Sequence, residues 1–245
     1  MSTLRVGVLA GSPHRGNCEY LAREVLAPAL EEQGFEASAR LLADFEIAGC
    51  LGCDACSRTG TCALFARESR GMHASGDSAP GSADAPALAA HHAHGTLLDL
   101  IAWLDGLDAL VLVAPLYFAG PPAQLKALFD RLQFLWGRRY MLKAWPVLPI
   151  ERRRPMLVLA LGGGGDPFGS TALLTCAHSA MRMMDFEMEL SDAYVGYRTG
   201  RPDVPTDAQF ERRAVERVHE LAALLRDRGP FSRRCQIDPL ARFDR

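Results

Sequence analysis

The chain predicts an α/β fold, a five-stranded parallel sheet with helices on both faces. Three observations carry this. Short, nearly continuous apolar runs recur along the chain, as they do in strands buried on both faces. Stretches with apolar residues at helical spacing fall between them. Strand and helix alternate throughout, and such alternation needs crossovers that cover both faces of one sheet. For 245 residues, strand order 2-1-3-4-5 is the common arrangement.

The elements follow in order. Leu4 to Ala10 is a buried strand. Tyr20, Leu21, Val25, Leu26, Ala29 and Leu30 recur at helical spacing, so a helix is expected from about Asn17 to Gln33, with Gly34 as its stop. Phe35 to Leu42 reads as the second strand, and a cysteine-rich loop follows over residues 47–64. Residues 66–95 are dominated by Ser, Ala, Gly, Pro and His, which predicts a flexible insertion ending in His91-His92-Ala93-His94. Those histidines have two readings, a solvated low-complexity loop or a metal site. Leu97 to Leu104 resumes a helix, and Asp108 to Ala114 is the strongest strand. A loop from Pro115 to Pro122 leads to a helix over Gln124 to Trp136. Arg138 to Arg154 is basic and irregular; it reads as a solvated surface, with a lip over a ligand or a subunit contact as the alternative. Pro155 to Leu161 is a buried strand that runs into Gly162-Gly163-Gly164-Gly165. A helix over Ser170 to Met183, a strand over Phe186 to Val195 and a helix over Thr206 to Asp227 complete the domain, expected to span residues 1–230. Residues 231–245 read as a tail.

Composition narrows the function. A net charge of −2 gives no reason to expect nucleic acid or an anionic membrane as partner. No apolar run reaches the roughly 18 residues needed to span a bilayer. The N-terminus leads directly into a core strand, so a cytoplasmic location is expected. Thiols are reduced there, and an odd count of seven cysteines does not suit a complete disulfide framework.

In parallel sheets of this kind, ligands bind beyond the carboxyl ends of the strands. Three such ends carry unusual residues: Gly11 to Cys18, Pro115 to Gly120, and Gly162 to Phe168. The first opens a helix, whose free N–H groups attract an anion. Gly11 and Gly16 let backbone approach, and Ser12 and Asn17 offer donors. The alternative is an ordinary strand-to-helix turn. The glycine run leaves room for the edge of a flat ligand, or is simply a flexible turn. Tyr117 and Phe118 either flank a ring or belong to the core.

Four cysteines, Cys50, Cys53, Cys56 and Cys62, fall on one short loop with x2, x2 and x5 spacing. Thiolates so grouped suit an iron–sulfur cluster or zinc. Structural zinc sites usually come as two separated pairs, which fits less well. Free thiols or a redox disulfide remain the other readings.

Four of these features together resemble the NADPH-dependent FMN reductase and multimeric-flavodoxin families, in particular the iron–sulfur flavoproteins. They are Gly11-Ser-Pro-His-Arg-Gly-Asn17, the cysteine run, Ala114-Pro-Leu-Tyr-Phe118 with Lys126 and Asp130-Arg131 behind it, and the glycine run. The resemblance implies a flavodoxin-like three-layer sandwich that binds FMN. It implies that Ser12, His14, Arg15, Gly16, Asn17 and Cys18 hold the phosphate. Pro115, Leu116, Tyr117 and Phe118 would lie along the ring, with Gly163 and Gly164 closing its other side. Cys18 stands where relatives usually have Ser or Thr. The implied activity is passage of electrons from NAD(P)H through FMN to a quinone, a flavin or a four-iron cluster on the cysteine loop, in a homodimer or homotetramer. A small molecule or a redox protein accepts the electrons. The rival readings are a non-enzymatic electron-transfer protein and a cysteine-based metal or redox sensor.

Overall fold

The structure, a computed structural model, describes residues 3–70, 95–163, 168–195, 208–229 and 237–243. Five strands form the main sheet: β1 (Arg5–Ala10), β2 (Glu36–Leu41), β3 (Ala109–Pro115), β4 (Arg154–Gly162) and β5 (Phe186–Val195). All four pairings are parallel and the order is 2-1-3-4-5, as the sequence predicts. β1 and β3 lie side by side at the centre, in register from Val6 opposite Ala109 to Ala10 opposite Val113.

Side chains alternate across the central strands and so build two cores. Val6, Val8, Val111 and Val113 join Leu157 and Leu159 on one face. There they meet a helical run over residues 17–32 (α1) and α8 (Ala208–Arg228), which supplies Phe210, Ala214, Val218, Leu221 and Leu225. Leu9, Leu110, Leu112, Met156 and Val158 face the other way. That face is covered by α4 (Leu97–Asp105), α5 (Ala123–Arg131), α6 (Gln133–Trp136) and α7 (Thr171–Met181). The result is the expected three-layer sandwich. α1 is not uniform: residues Leu21–Leu26 form a π-helical turn between α-helical ends. α4 starts at a reciprocal cap, Thr96 with Asp99.

Several expectations change. The proposed insertion begins later than residue 66, because Phe65–Glu68 is a short helix (α3). At its far end Gly95–Thr96 pairs with Phe45–Glu46 as a small separate sheet. Residues 71–94, including the three histidines, lie outside the described residues. The basic stretch is not simply solvated. Arg138, Arg139, Arg153 and Arg154 are all buried, because backbone carbonyls and carboxylates surround each guanidinium. Arg154, for example, donates to the carbonyls of Leu104, Asp105, Leu107 and Met184. Residues 237–243 are not a loose tail but pack against the cysteine loop through Arg138.

Candidate functional site

The carboxyl ends of β1, β3 and β4 form one rim, and hydrogen bonds tie their turns together. Gly11 N–H donates to the Val113 carbonyl at 2.7 Å, joining the first turn to β3. Leu116 N–H donates to the Leu161 carbonyl at 2.7 Å, joining the second turn to β4. The Tyr117 hydroxyl lies 3.4 Å from His14 Nδ1, closing the first turn on the second. Leu173 N–H, in the first turn of α7, donates to the Ala119 carbonyl at 3.2 Å.

The second turn is a tight hairpin, in which Tyr117 and Gly120 exchange backbone hydrogen bonds at 3.0 Å each way. Its two central residues, Phe118 and Ala119, have φ of 51° and 62°. Glycine or asparagine normally occupies such positions. Strain of this kind gathers at functional sites. Phe118 is also fully exposed, at 104%. A bulky aromatic held in a costly conformation and projected into solvent contributes nothing to the core. Phe168, which leads into α7, is 75% exposed. Gly163 is exposed at the end of β4, and Gly164 lies outside the described residues. Gly162 is needed for packing, since a Cβ there would come within 2.9 Å of Leu116.

Within the first turn the predicted residues separate by role. Ser12 is buried, and its hydroxyl accepts from His14 N–H at 3.3 Å. Asn17, Cys18 and Glu19 form the first turn of α1, directly after Gly16. Arg15 directs its guanidinium to carboxylates, Glu19 at 2.5 Å and Asp44 at 3.2 Å. The Cys18 side chain lies in the core formed by α1 and α8. Burial pushes its thiol up to about 12, so it stays neutral and offers the turn only its backbone. Tyr117 is raised too, first by burial and then by the Cys18 thiol.

The four loop cysteines line one pocket that opens to solvent. Its wall includes Asp54, Asp130, Arg131 and Phe134. Cys50 and Cys53 are exposed, and Cys56 and Cys62 half-buried. α2 (Ala55–Thr59) carries Cys56 and packs on the helical turn at Gly137, where a Cβ would meet the Cys56 carbonyl at 2.5 Å. Glycine at 137 is what lets the cysteine loop approach. The Cys56 thiol is raised by burial, then by Cys62, with Asp54 and Cys50 adding to it. Among the described residues no group of three or more His, Cys, Asp or Glu forms a ready metal site. The donor chemistry nevertheless fits a thiolate-bound cluster. Four cysteines line one pocket, and Arg131, which also lines it, has two buried N–H groups without hydrogen-bond partners.

Residues 4–187 match the family described as NADPH-dependent FMN reductase. The chain belongs to that family. Among proteins similar to this FMN reductase family member is an iron–sulfur flavoprotein of Methanosarcina thermophila, 26% identical over 141 residues, covering 57% of this chain and 58% of that one. An iron–sulfur flavoprotein of Methanocaldococcus jannaschii is 29% identical over 129 residues, covering 52% of this chain and 51% of that one. The chain thus spans between half and three fifths of these relatives' lengths. A solved structure titled flavone reductase superposes with a TM-score of 0.58 at 12% identity, covering 91% of this chain and 64% of that one. Among the described residues, no helix of this FMN reductase family member is long and apolar enough to cross a membrane.

Three features of the site escape sequence reasoning. The left-handed turn at Phe118–Ala119 has no glycine to announce it. Arg131 and Arg138 both serve the cysteine loop, from positions far from it in sequence. No local pattern marks an arginine that pairs with distant carbonyls.

Proposed function

We propose that the chain is a flavin oxidoreductase that binds FMN at the rim of β1, β3 and β4 and draws electrons from NADPH or NADH. The tie between His14 and Tyr117 carries this reading, with the strained hairpin beside it. It supports one concave site built from separate turns, in a family defined by FMN reduction.

In this reading Ser12, His14, Gly16 and Asn17 hold the phosphate, helped by the start of α1. Arg15 and Cys18 contribute backbone N–H groups, because their side chains are engaged elsewhere. Pro115, Leu116, Tyr117 and Phe118 lie along the ring system, and Gly163 and Gly164 face its other side. FMN, when bound, supplies the hydride and electron chemistry. The protein binds and orients it. Phe118 and Phe168 flank the exposed approach, where nicotinamide and acceptor bind in turn, which implies ping-pong kinetics. No side chain is needed as general acid or base. The acceptor is a small molecule such as a quinone or a free flavin, or a redox protein.

A second reading is favoured by the cysteine pocket. There Cys50, Cys53, Cys56 and Cys62 hold a four-iron cluster and the chain relays electrons without oxidising NAD(P)H. Either way a homodimer or homotetramer accounts for the exposed apolar side chains Trp136, Tyr140, Met141, Val147 and Ile150. Anaerobic stopped-flow mixing of the FMN-loaded protein with NADPH and with NADH tests the first reading. Rapid loss of flavin absorbance with either nicotinamide is expected. Bound flavin that neither one bleaches would leave the electron-transfer reading in its place.

A further inference from the structure

Arg131 ends α5 and is 1% exposed. Its Nη1 is used twice, by the Ala48 carbonyl at 3.2 Å and the Glu68 carboxylate at 2.9 Å. The Phe65 ring covers the guanidinium, with its centroid 5.0 Å away. Nε and Nη2 are buried with no hydrogen-bond partner. A buried guanidinium normally has its N–H groups paired. These two sit on a residue that lines the cysteine pocket. Glu68 Oε2 is likewise buried without a hydrogen-bond partner, and the pocket that Arg131 lines offers further acceptors: the Asp54 and Asp130 carboxylates, already engaged by Ser57 and Lys126, and the four cysteine sulfurs.

We propose that Arg131 donates hydrogen bonds from Nε and Nη2 to the sulfur atoms of an iron–sulfur cluster held by Cys50, Cys53, Cys56 and Cys62. This rests on the cluster reading above and adds the residue that tunes the cluster. Glu68 neutralises the charge of Arg131, so the pair offers the pocket directed donors rather than net charge. Asp54 and Asp130 also stand on the wall, and Lys126 pairs with Asp130 at 2.6 Å. Among these charged neighbours, the Arg131 donors are what favour an anion. Hydrogen bonds to cluster and cysteine sulfurs stabilise the reduced, more negative form and raise the reduction potential.

The test uses the full chain, reconstituted anaerobically with ferrous iron and sulfide. The wild type is compared with Glu68→Gln, with the double variant Arg131→Met/Glu68→Gln, and with Arg131→Lys. The double variant keeps the Arg131–Glu68 pair neutral while removing the donors. About four irons per chain are expected in the wild type. In the Met double variant the midpoint potential should fall by at least about 59 mV, a tenfold change for one electron. Iron should pass to a chelator roughly tenfold faster. The Lys variant, which keeps the pair with Glu68 neutral and restores some donors, should lie between. Thermal melting of Glu68→Gln and of the Met double variant separates lost stability from these effects, since a merely structural Arg131 would move melting and leave the potential alone. A cluster whose potential and chelator half-life match wild type in the Met double variant would overturn the Arg131 assignment and leave the cluster reading standing. A wild type that takes up no iron would remove both.

Discussion

The Tyr117 hydroxyl and His14 Nδ1 stand 3.4 Å apart, bridging the turns that leave β1 and β3. The contact joins two turns over a hundred residues apart in sequence and makes them one rim. Replacing His14 by Ala, or Tyr117 by Phe, removes a tie worth about 1 kcal/mol, so FMN affinity should fall roughly fivefold. Flavin fluorescence titration of each variant measures this.

The phosphate assignment is checked separately. Ser12→Ala and Asn17→Ala together remove two donors to a charged group, at a combined cost of about 3 kcal/mol, or roughly two orders of magnitude in FMN Kd. Unchanged flavin retention after gel filtration would count against the turn as a phosphate cradle.

Ala119 has φ 62° with no glycine to ease it. Ala119→Gly should stabilise the protein by about 1 kcal/mol, raising Tm by roughly 2–4 °C. Phe118→Ala should leave Tm nearly unchanged, since its ring is fully exposed, but should weaken flavin or nicotinamide binding. Calorimetry paired with titration distinguishes the two effects.

Arg138 ties the C-terminal segment to the cysteine loop. It donates to Gly60 at 2.5 Å and to Asp238 and Ala241 at 2.8 Å each. Burial lowers it to about 10. Arg138→Met strands these carbonyls and should cost at least about 2 kcal/mol. Trypsin should then cut faster after Arg242, a change that mass spectrometry reads directly.

Cys18 supplies a pH signature. Its folded value of about 12 lies above the unfolded 9.0, so the folded state holds its proton more tightly. The associated stability is complete below pH 9 and is lost as pH rises from there towards 12. Cys18→Ala should flatten that part of the stability profile. In folded, iron-free protein at pH 8.5, iodoacetamide should label exposed Cys50 and Cys53 and spare buried Cys18, which reacts only after unfolding.

Much of this was legible from the chain. The apolar runs at Leu4–Ala10 and Asp108–Ala114 fall where β1 and β3 lie, because buried parallel strands need apolar side chains on both faces. Phe186 to Val195 matches β5 as expected. The rim was legible because glycine and polar residues interrupt apolar runs at the strand ends. What stayed hidden depends on distant partners. Arg138, Arg139, Arg153 and Arg154 look solvated in sequence, since charged residues are seldom buried unpaired. Their partners lie in other elements: Arg139 with Asp185, Arg153 with Glu187. Cys18 looked like a ligand residue in a polar turn, yet helical geometry turns it into the core.

Titration of the flavin-free protein with FMN tests the shared rim most directly. Saturable quenching of flavin fluorescence at one FMN per chain, weakened by His14→Ala and by Ser12→Ala/Asn17→Ala, is the predicted result. Fluorescence that stays unquenched as FMN rises to millimolar concentration would contradict it.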